Sequence, residues 1–106
     1  MTVPPDWLVS AERFAARRGE YLMRHGTMRV MPHRPTMPNL QTPHSQDELY
    51  LIVRGTGRFT KNGETAAVGA GDALFVEAGA EHHFDEIDDD FWLWIVFWGP
   101  EGGEPN

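Results

Sequence analysis

Apolar and polar residues alternate in short runs from residue 21 onward, and glycine, proline, asparagine or aspartate separates the runs. This pattern is typical of β-strands joined by tight turns. It predicts strands over residues 21–25, 28–31, 48–54, 58–61, 64–68, 73–76, 82–87 and 91–98. Asn62-Gly63 joins two of them and favours a two-residue type I′ hairpin turn. Closely spaced short strands of this kind predict an all-β barrel or sandwich.

Two of the predicted strands, 48–53 and 91–98, are apolar on both faces. A strand of a single small barrel is expected to keep one face in contact with water, so the second face needs a cover. The N-terminal segment would provide that cover within one chain, whereas a second subunit would provide it in an assembly. Of the two, we expect a homodimer.

The N-terminal segment has the pattern of one short helix over residues 9–19. Ser10 is suited to cap its first turn, Val9 and Phe14 have the spacing of a hydrophobic staple, and Gly19 suits the left-handed stop. We therefore expect a single domain over residues 1–106. It would contain a helical segment at 1–20, a barrel at 21–98 and a flexible tail at 99–106.

Composition narrows the classes of partner and of chemistry. The net charge of −7 argues against a nucleic acid or an anionic membrane as partner. With no cysteine, the chain has no disulfide, no thiolate metal site and no cysteine nucleophile. No apolar run approaches the roughly 20 residues of a membrane helix, and the N-terminus lacks the signal-peptide pattern. We expect a soluble, cytoplasmic protein.

Three residues have the chemistry of a metal site. His44 and Glu48 lie just before and at the start of an apolar strand, and His82 follows a turn marked by Gly79. A carboxylate at the start of an apolar strand is costly to bury without a partner. Two imidazoles and one carboxylate that converge inside a β structure would bind a divalent metal ion.

The same residues resemble the two motifs of the cupin family. His44, followed after three residues by Glu48 and after six more by Gly55, is similar to the first motif, G-x5-H-x-H-x3,4-E-x6-G. Gly71-x5-Glu77-x-Gly79-x2-His82 is similar to the second, G-x5-P-x-G-x2-H-x3-N. The resemblance covers about residues 28–98. It implies an antiparallel jelly-roll barrel that holds one metal ion on the motif histidines and glutamate, here His44, Glu48 and His82.

Three of the chain's departures from the family pattern bear on the site. Thr42 replaces the first histidine of the first motif, Glu77 replaces the proline of the second, and Glu86 replaces its asparagine. Three protein ligands therefore remain, with an open face at the metal. Gln41 or His33 would have to move in to supply a fourth.

Other residues are expected around this centre. We expect Gln41, Thr42, Tyr50 and Phe75 to line a pocket. Asp47 would accept a hydrogen bond from a ligand imidazole, or else be a solvated turn residue. Glu77 would act as a base or an entrance charge near the barrel mouth.

Two histidines and one carboxylate suit Fe, Mn, Ni, Co and Zn alike, so the identity of the metal stays open. The resemblance favours a small metal-dependent enzyme, oxygenase-like or isomerase/lyase-like, acting on a small organic molecule. The alternatives are a barrel that binds a metal or small ligand for sensing without catalysis, and a cupin that has lost its metal.

Overall fold

The computed structural model describes residues 5, 7–10, 20–39 and 41–105. Most of the helix predicted at 9–19 lies outside this set. Within it the chain forms strands only: β1 (Met23–His25), β2 (Met28–His33), β3 (Asp47–Arg54), β4 (Thr56–Lys61), β5 (Glu64–Gly69), β6 (Ala73–Val76), β7 (His82–Asp85) and β8 (Trp92–Trp98). None of the described residues belongs to a helix long and apolar enough to cross a membrane.

The strands form two antiparallel sheets. One has the order β1-β2-β8-β3-β6, and the other has the order β5-β4-β7. Strand β3 lies between β8 and β6, with Glu48 opposite Val76 and Phe97. The predicted all-β antiparallel fold is thus confirmed.

The β4–β5 hairpin has the predicted turn. Asn62 and Gly63 have φ angles of 50° and 84°, and Lys61 pairs with Glu64 across the turn. Positive φ at both central residues defines a type I′ turn, which matches the twist of the flanking strands. The turn also contacts the chain just before β7, because Asn62 N donates to Glu81 O at 2.8 Å and Asn62 Oδ1 accepts from Glu81 N at 3.1 Å.

The core between the sheets is largely aromatic. Tyr50, Phe84 and Phe91 are each 1% exposed, and Leu93 is fully buried. The Phe59 and Phe84 rings lie 4.7 Å apart, and Tyr50 packs edge-on against both. Each such side chain stabilises the fold by about 1.5–3 kcal/mol through burial alone. This core surrounds the side of β3 on which Glu48 lies.

The outer face of the five-stranded sheet is also apolar. Leu51 is 37% exposed and Phe75 is 48% exposed, and Phe75 packs beside Trp98 at 6.1 Å between ring centroids. This is the second apolar face that the sequence predicted. Whether a second subunit covers it stays a prediction.

The segment after β8 is folded back on the barrel. Gly102 N donates to Ser45 O at 2.7 Å, and Glu104 N donates to Asp47 Oδ2 at 2.9 Å. These bonds hold residues 102–104 beside the start of β3, and the flexible tail expected over residues 99–106 stays a prediction. The polar composition of the tail gave no sign of these contacts, because they depend on the position of Asp47 in the fold.

Candidate metal centre

The three predicted ligands come from different parts of the fold. Glu48 is the second residue of β3, His44 lies in the loop that leads into β3, and His82 is the first residue of β7 in the facing sheet. Alternation along β3 directs Glu48 to the same side as Tyr50 and Ile52, both buried. The carboxylate is thus placed inside the barrel, 1% exposed.

Backbone contacts between the two motifs bring the histidines together. Gly79 N donates to His44 O at 2.8 Å, and Ala78 N donates to Asp47 Oδ1 at 3.0 Å. Gly79 has φ of +83°, a left-handed conformation that glycine adopts without strain. The turn before β7 is therefore tied to the start of β3, which places His82 opposite Glu48.

The donor atoms converge on one point. Glu48 Oε1 lies 3.3 Å from His82 Nε2 and 3.8 Å from His44 Nε2. One donor atom from each residue can be chosen so that all three lie within 4.8 Å of one another. Metal bonds of about 2.0–2.2 Å allow two ligand atoms of one ion to lie up to about 4.4 Å apart. Both distances from Glu48 fall within that limit.

Three atoms at the centre have no hydrogen-bond partner among the described residues. They are Glu48 Oε1, Glu48 Oε2 and His82 Nε2, all buried. Buried polar atoms are nearly always satisfied, and a buried carboxylate without partners is especially costly. A cation between these atoms would remove that cost. By geometry and by donor chemistry, the residues fit a divalent metal.

The backbone fixes the orientation of His82. Its Nδ1 lies 2.9 Å from the carbonyl oxygen of Ala80. A carbonyl only accepts, so Nδ1 carries a proton and donates it. In the neutral ring, Nε2 is then the atom that can bind a metal beside Glu48. Metal-ligating histidines commonly have this second hydrogen bond, because it selects the tautomer and holds the ring.

The two imidazoles differ in their affinity for protons. Burial lowers the pKa of His44, Glu48 opposes that effect, and nearby His82 lowers it further, so that it lies below its ordinary value. Burial also lowers the pKa of His82. The Glu48 carboxylate and the Ala80 carbonyl raise it by more, so its pKa lies above the ordinary value. His44 is the more exposed ring, with 34% of its side chain accessible.

Tyr50 and Gln41 lie next to the triad and bind each other. The Tyr50 hydroxyl donates to Gln41 Oε1 at 3.3 Å, and the Tyr50 ring centroid is 6.1 Å from that of His82. Burial, and then the Glu48 charge, raise the pKa of Tyr50 far above its usual value, so the hydroxyl keeps its proton. Gln41 Nε2 donates to Asn39 Oδ1 at 2.7 Å. The amide of Gln41 is thus engaged away from the metal position.

Thr42, at the position of the missing histidine, is exposed. It lines a cleft of about 540 Å³ together with Gln41 and His82. His33 lies in β2 opposite Leu93, and it is not part of the donor group found within the described residues. The structure therefore places no fourth side-chain ligand among the described residues at this centre.

Three further predicted residues lie elsewhere. Asp47 accepts from the backbone N–H groups of Ala78 and Glu104, not from an imidazole, and these two bonds lower its pKa. Phe75 lies on the outer face because it pairs with Leu49, whose side chain points away from that of Glu48. Glu77 is exposed and forms an ion pair with Lys61 at 2.7 Å, which lowers its pKa. Asp47 and Phe75 therefore lie away from the three donor atoms, and with Glu77 they border a separate cavity of about 390 Å³.

The structure also places residues near the centre that the sequence did not single out. Arg29 and Gln46 border a second cavity, of about 300 Å³, which reaches His44. Asn39 Oδ1 accepts from Phe84 N at 2.7 Å and so holds the proline-rich loop against β7. No motif marks these residues, since their role arises from strand pairing and loop position.

Comparison with known proteins agrees with the fold. A cupin-domain family model matches residues 26–97. The chain is 41% identical over 61 residues to the uncharacterized protein SCO3923 of Streptomyces coelicolor, a match that spans 58% of each sequence. The chain thus aligns with less than two thirds of that relative's length.

Solved structures with the same fold include a cupin protein, BF4112, from Bacteroides fragilis. It is 21% identical, with a TM-score of 0.59, and the match covers 77% of this chain and 74% of that one. Fe(II)-HppE with an alternative substrate is 19% identical, with a TM-score of 0.52, over 67% of this chain and 41% of that one. At these identities the likeness shows the fold alone.

Proposed function

This chain belongs to the cupin family, and we propose that it holds one divalent metal ion on His44, Glu48 and His82. The metal centre would serve a small metal-dependent enzyme, oxygenase-like or isomerase/lyase-like, that acts on a small organic molecule. The observation that carries the proposal is the pair Glu48 and His82. Three of their polar atoms are buried without partners among the described residues and lie around one point.

The donor set also supports an open coordination face. Two imidazoles and one carboxylate are the ligands of facial-triad iron sites, and they suit Mn, Ni, Co and Zn as well. A bound ion would supply Lewis acidity or an attachment point for an oxygen ligand. The exposed Thr42, where the family motif has a histidine, leaves the third imidazole position without a ligand. The ion in Fe(II)-HppE indicates that a related barrel can hold iron.

The residues around the triad have defined roles in this proposal. His82 is held through its Nδ1 by Ala80, and Glu48 is fixed within the apolar core. Tyr50 keeps its proton and acts as a hydrogen-bond donor, not as a base. The aromatic ring of Phe97 packs edge-on against His44 at 5.2 Å between centroids and gives the exposed ligand an apolar neighbour.

One observation favours the alternative of a binding or sensing barrel without catalysis. Tyr50 and Gln41, the polar neighbours of the triad, already bind each other. A reaction that requires a general base other than the three ligands would therefore have to take that base from the substrate or from a residue farther from the triad. A second candidate function is thus the binding of a metal or a small ligand.

Metal content tests the proposal. The purified chain is stripped with chelator, reconstituted separately with Fe(II), Mn, Ni, Co and Zn, and analysed for bound metal. We expect about one equivalent of at least one metal, and its loss in Glu48→Gln and His82→Ala. His83→Ala is the matched control, because His83 is the neighbouring histidine and lies exposed on the opposite face of β7. Equal metal content in all variants would contradict the proposed site.

Turnover separates the enzyme from the binder. Oxygen uptake by the Fe(II)-loaded chain is followed with catechols, thiols and oxo-acids, and the chain loaded with Mn or Zn is followed by NMR for isomerised or cleaved products. Activity that disappears in Glu48→Gln supports the enzyme, whereas bound metal without turnover across the panel favours the binder. Homodimer formation, a cytoplasmic location and the absence of nucleic-acid and membrane partners stay predictions from composition and pattern.

A further inference from the structure

Arg29 occupies an unusual position for a cation in this acidic chain. It lies in β2, is half-buried, and borders the cavity of about 300 Å³ that reaches His44. Its guanidinium carbon lies 4.8 Å from the ring centroid of Tyr21 and 5.1 Å from that of Phe97. The same Phe97 ring packs against His44. One aromatic side chain therefore separates Arg29 from the exposed imidazole of the metal centre.

No carboxylate neutralises Arg29 among the described residues, although the chain has 16 acidic residues and only nine basic ones. Arg24 and Arg34 also have no carboxylate partner among the described residues, but both are exposed, and Arg34 donates to the carbonyl oxygen of Asp89. The other three described cations are paired. Arg54 and Arg58 lie 3.9 and 4.0 Å from the carboxylates of Asp90 and Glu86, and Lys61 lies 2.7 Å from that of Glu77. A half-buried charge flanked by aromatic rings is less well hydrated than an exposed charge, so the lack of a counter-ion is energetically unfavourable.

The guanidinium is also held in place. Gln46 Oε1 accepts from Arg29, while Gln46 Nε2 donates to Gly99 O at 2.7 Å. The Tyr21 hydroxyl accepts from Arg29 at 3.4 Å. An arginine side chain has five N–H donors in a planar fork. Two of them are used in these bonds, and the described residues supply no acceptor for the others.

We propose that Arg29 is the anchor for a small organic carboxylate that enters this cavity. The carboxylate would bind the free N–H groups of Arg29, and its apolar body would lie along Tyr21, Met31 and Phe97 toward His44. A planar guanidinium binds a carboxylate through two parallel hydrogen bonds, and a fixed one loses little entropy on binding. This inference rests on the proposed function, since it assigns the class of substrate that the metal centre would meet.

Benzoate and benzamide are suitable probes, because they have the same shape and differ in charge. Each is titrated into the full-length ¹⁵N-labelled chain, once with chelator and once with Zn(II), and binding is followed by two-dimensional NMR. We expect benzoate to shift the Arg29 side-chain resonance and the backbone amides of Ser45 and Gln46, and benzamide to bind far more weakly. The chelator arm excludes direct binding of benzoate to zinc.

The variants test the role of the guanidinium. Arg29→Gln is expected to weaken benzoate roughly 10- to 100-fold, the loss typical of a hydrogen-bonded charged group. Arg29→Lys keeps the charge without the planar fork, and its affinity for benzoate is expected to lie between those of the wild type and Arg29→Gln. This variant gives a second measurement if Arg29→Gln does not fold. Arg24→Gln is the matched control, because Arg24 also lies over the Tyr21 ring, at 4.9 Å, but does not border the cavity.

The outcomes separate this inference from the proposed function. Metal stoichiometry should be unchanged in Arg29→Gln, since Arg29 is not a ligand. If the wild-type chain takes up no metal, the proposed function fails, and the chelator arm still tests the carboxylate site. The inference is overturned if the wild type does not bind benzoate, if benzamide binds equally well, or if Arg29→Gln and Arg29→Lys leave the affinity of benzoate unchanged.

Discussion

Replacing Glu48 with leucine should stabilise the metal-free protein. The side chain is 1% exposed, and neither carboxylate oxygen has a hydrogen-bond partner among the described residues. An unsatisfied buried polar group costs about 1–3 kcal/mol, and more when it is charged. Leucine has a similar size and would meet the apolar side chains of Tyr50 and Ile52 on the same face. We therefore expect Glu48→Leu to raise the free energy of unfolding by about 1–3 kcal/mol in the presence of chelator.

Metal should reverse the order of stability. A metal ion that binds only the folded state at 100 times its dissociation constant adds about 2.7 kcal/mol to the wild type. Glu48→Leu lacks a ligand and should gain little. Urea denaturation at pH 8 gives the free energies of unfolding of the wild type and of Glu48→Leu, each with chelator and with the preferred metal. Glu64→Leu is the control, because Glu64 is an exposed residue of β5 and its replacement should change stability by less than about 0.5 kcal/mol.

Whether Glu48→Leu raises or lowers the free energy of unfolding in the presence of chelator decides between two interpretations of the Glu48–His82 contact. If the 3.3 Å contact is a structural ion pair, removing one partner leaves a buried charge alone and destabilises the protein by about 3–5 kcal/mol. If Glu48 and His82 are instead held apart for a metal, Glu48→Leu is more stable than the wild type when no metal is present. A loss of stability in Glu48→Leu, with the Glu64→Leu control unchanged, would refute the second reading.

Three further predictions concern residues outside the triad. Asp47→Ala should lower the urea midpoint, because Asp47 binds the backbone of the second-motif turn and of the C-terminal segment, while metal stoichiometry stays at the wild-type value. A variant that loses metal but keeps the wild-type urea midpoint would contradict this. Lys61→Met should raise the pKa of Glu77 toward its ordinary value in a ¹³C NMR titration. Since the folded-state pKa is lowered, the contribution of this pair to stability is present above the unfolded-state pKa and is lost as pH falls; an unchanged Glu77 titration would argue against the ion pair. Phe75→Lys should shift a wild-type dimer toward monomer in light scattering, and a wild type that is monomeric at high concentration would exclude assembly through the outer face.

Local patterns predicted the elements of this fold well. Strand alternation and the Asn62-Gly63 turn depend on residues close in sequence, and the structure has the strands and the type I′ turn where the pattern placed them. The resemblance to the cupin motifs identified His44, Glu48 and His82, which the structure brings together. Motif spacing sufficed here because the two motif segments meet across the barrel at Gly79 and His44.

Residues whose role depends on a distant partner were harder to predict. Asp47 is next to Glu48 in sequence, yet strand alternation sends its side chain to the opposite face, where Ala78 and Glu104 supply N–H donors. Strand alternation also places Phe75 on the outer face, because it pairs with Leu49 and not with Glu48. Arg29 carries no motif, and it comes near His44 only because β2 pairs with β8 and so lies beside Phe97.

The central claim is that one metal ion lies among His44, Glu48 and His82. Crystals of the reconstituted protein, measured above and below the absorption edge of the bound metal, test it directly. We expect one anomalous peak within about 2.0–2.3 Å of His44 Nε2, His82 Nε2 and a Glu48 oxygen, and no peak in Glu48→Gln. Reconstituted wild-type crystals with no peak at this point, and with Glu48 and His82 still in contact, would contradict it.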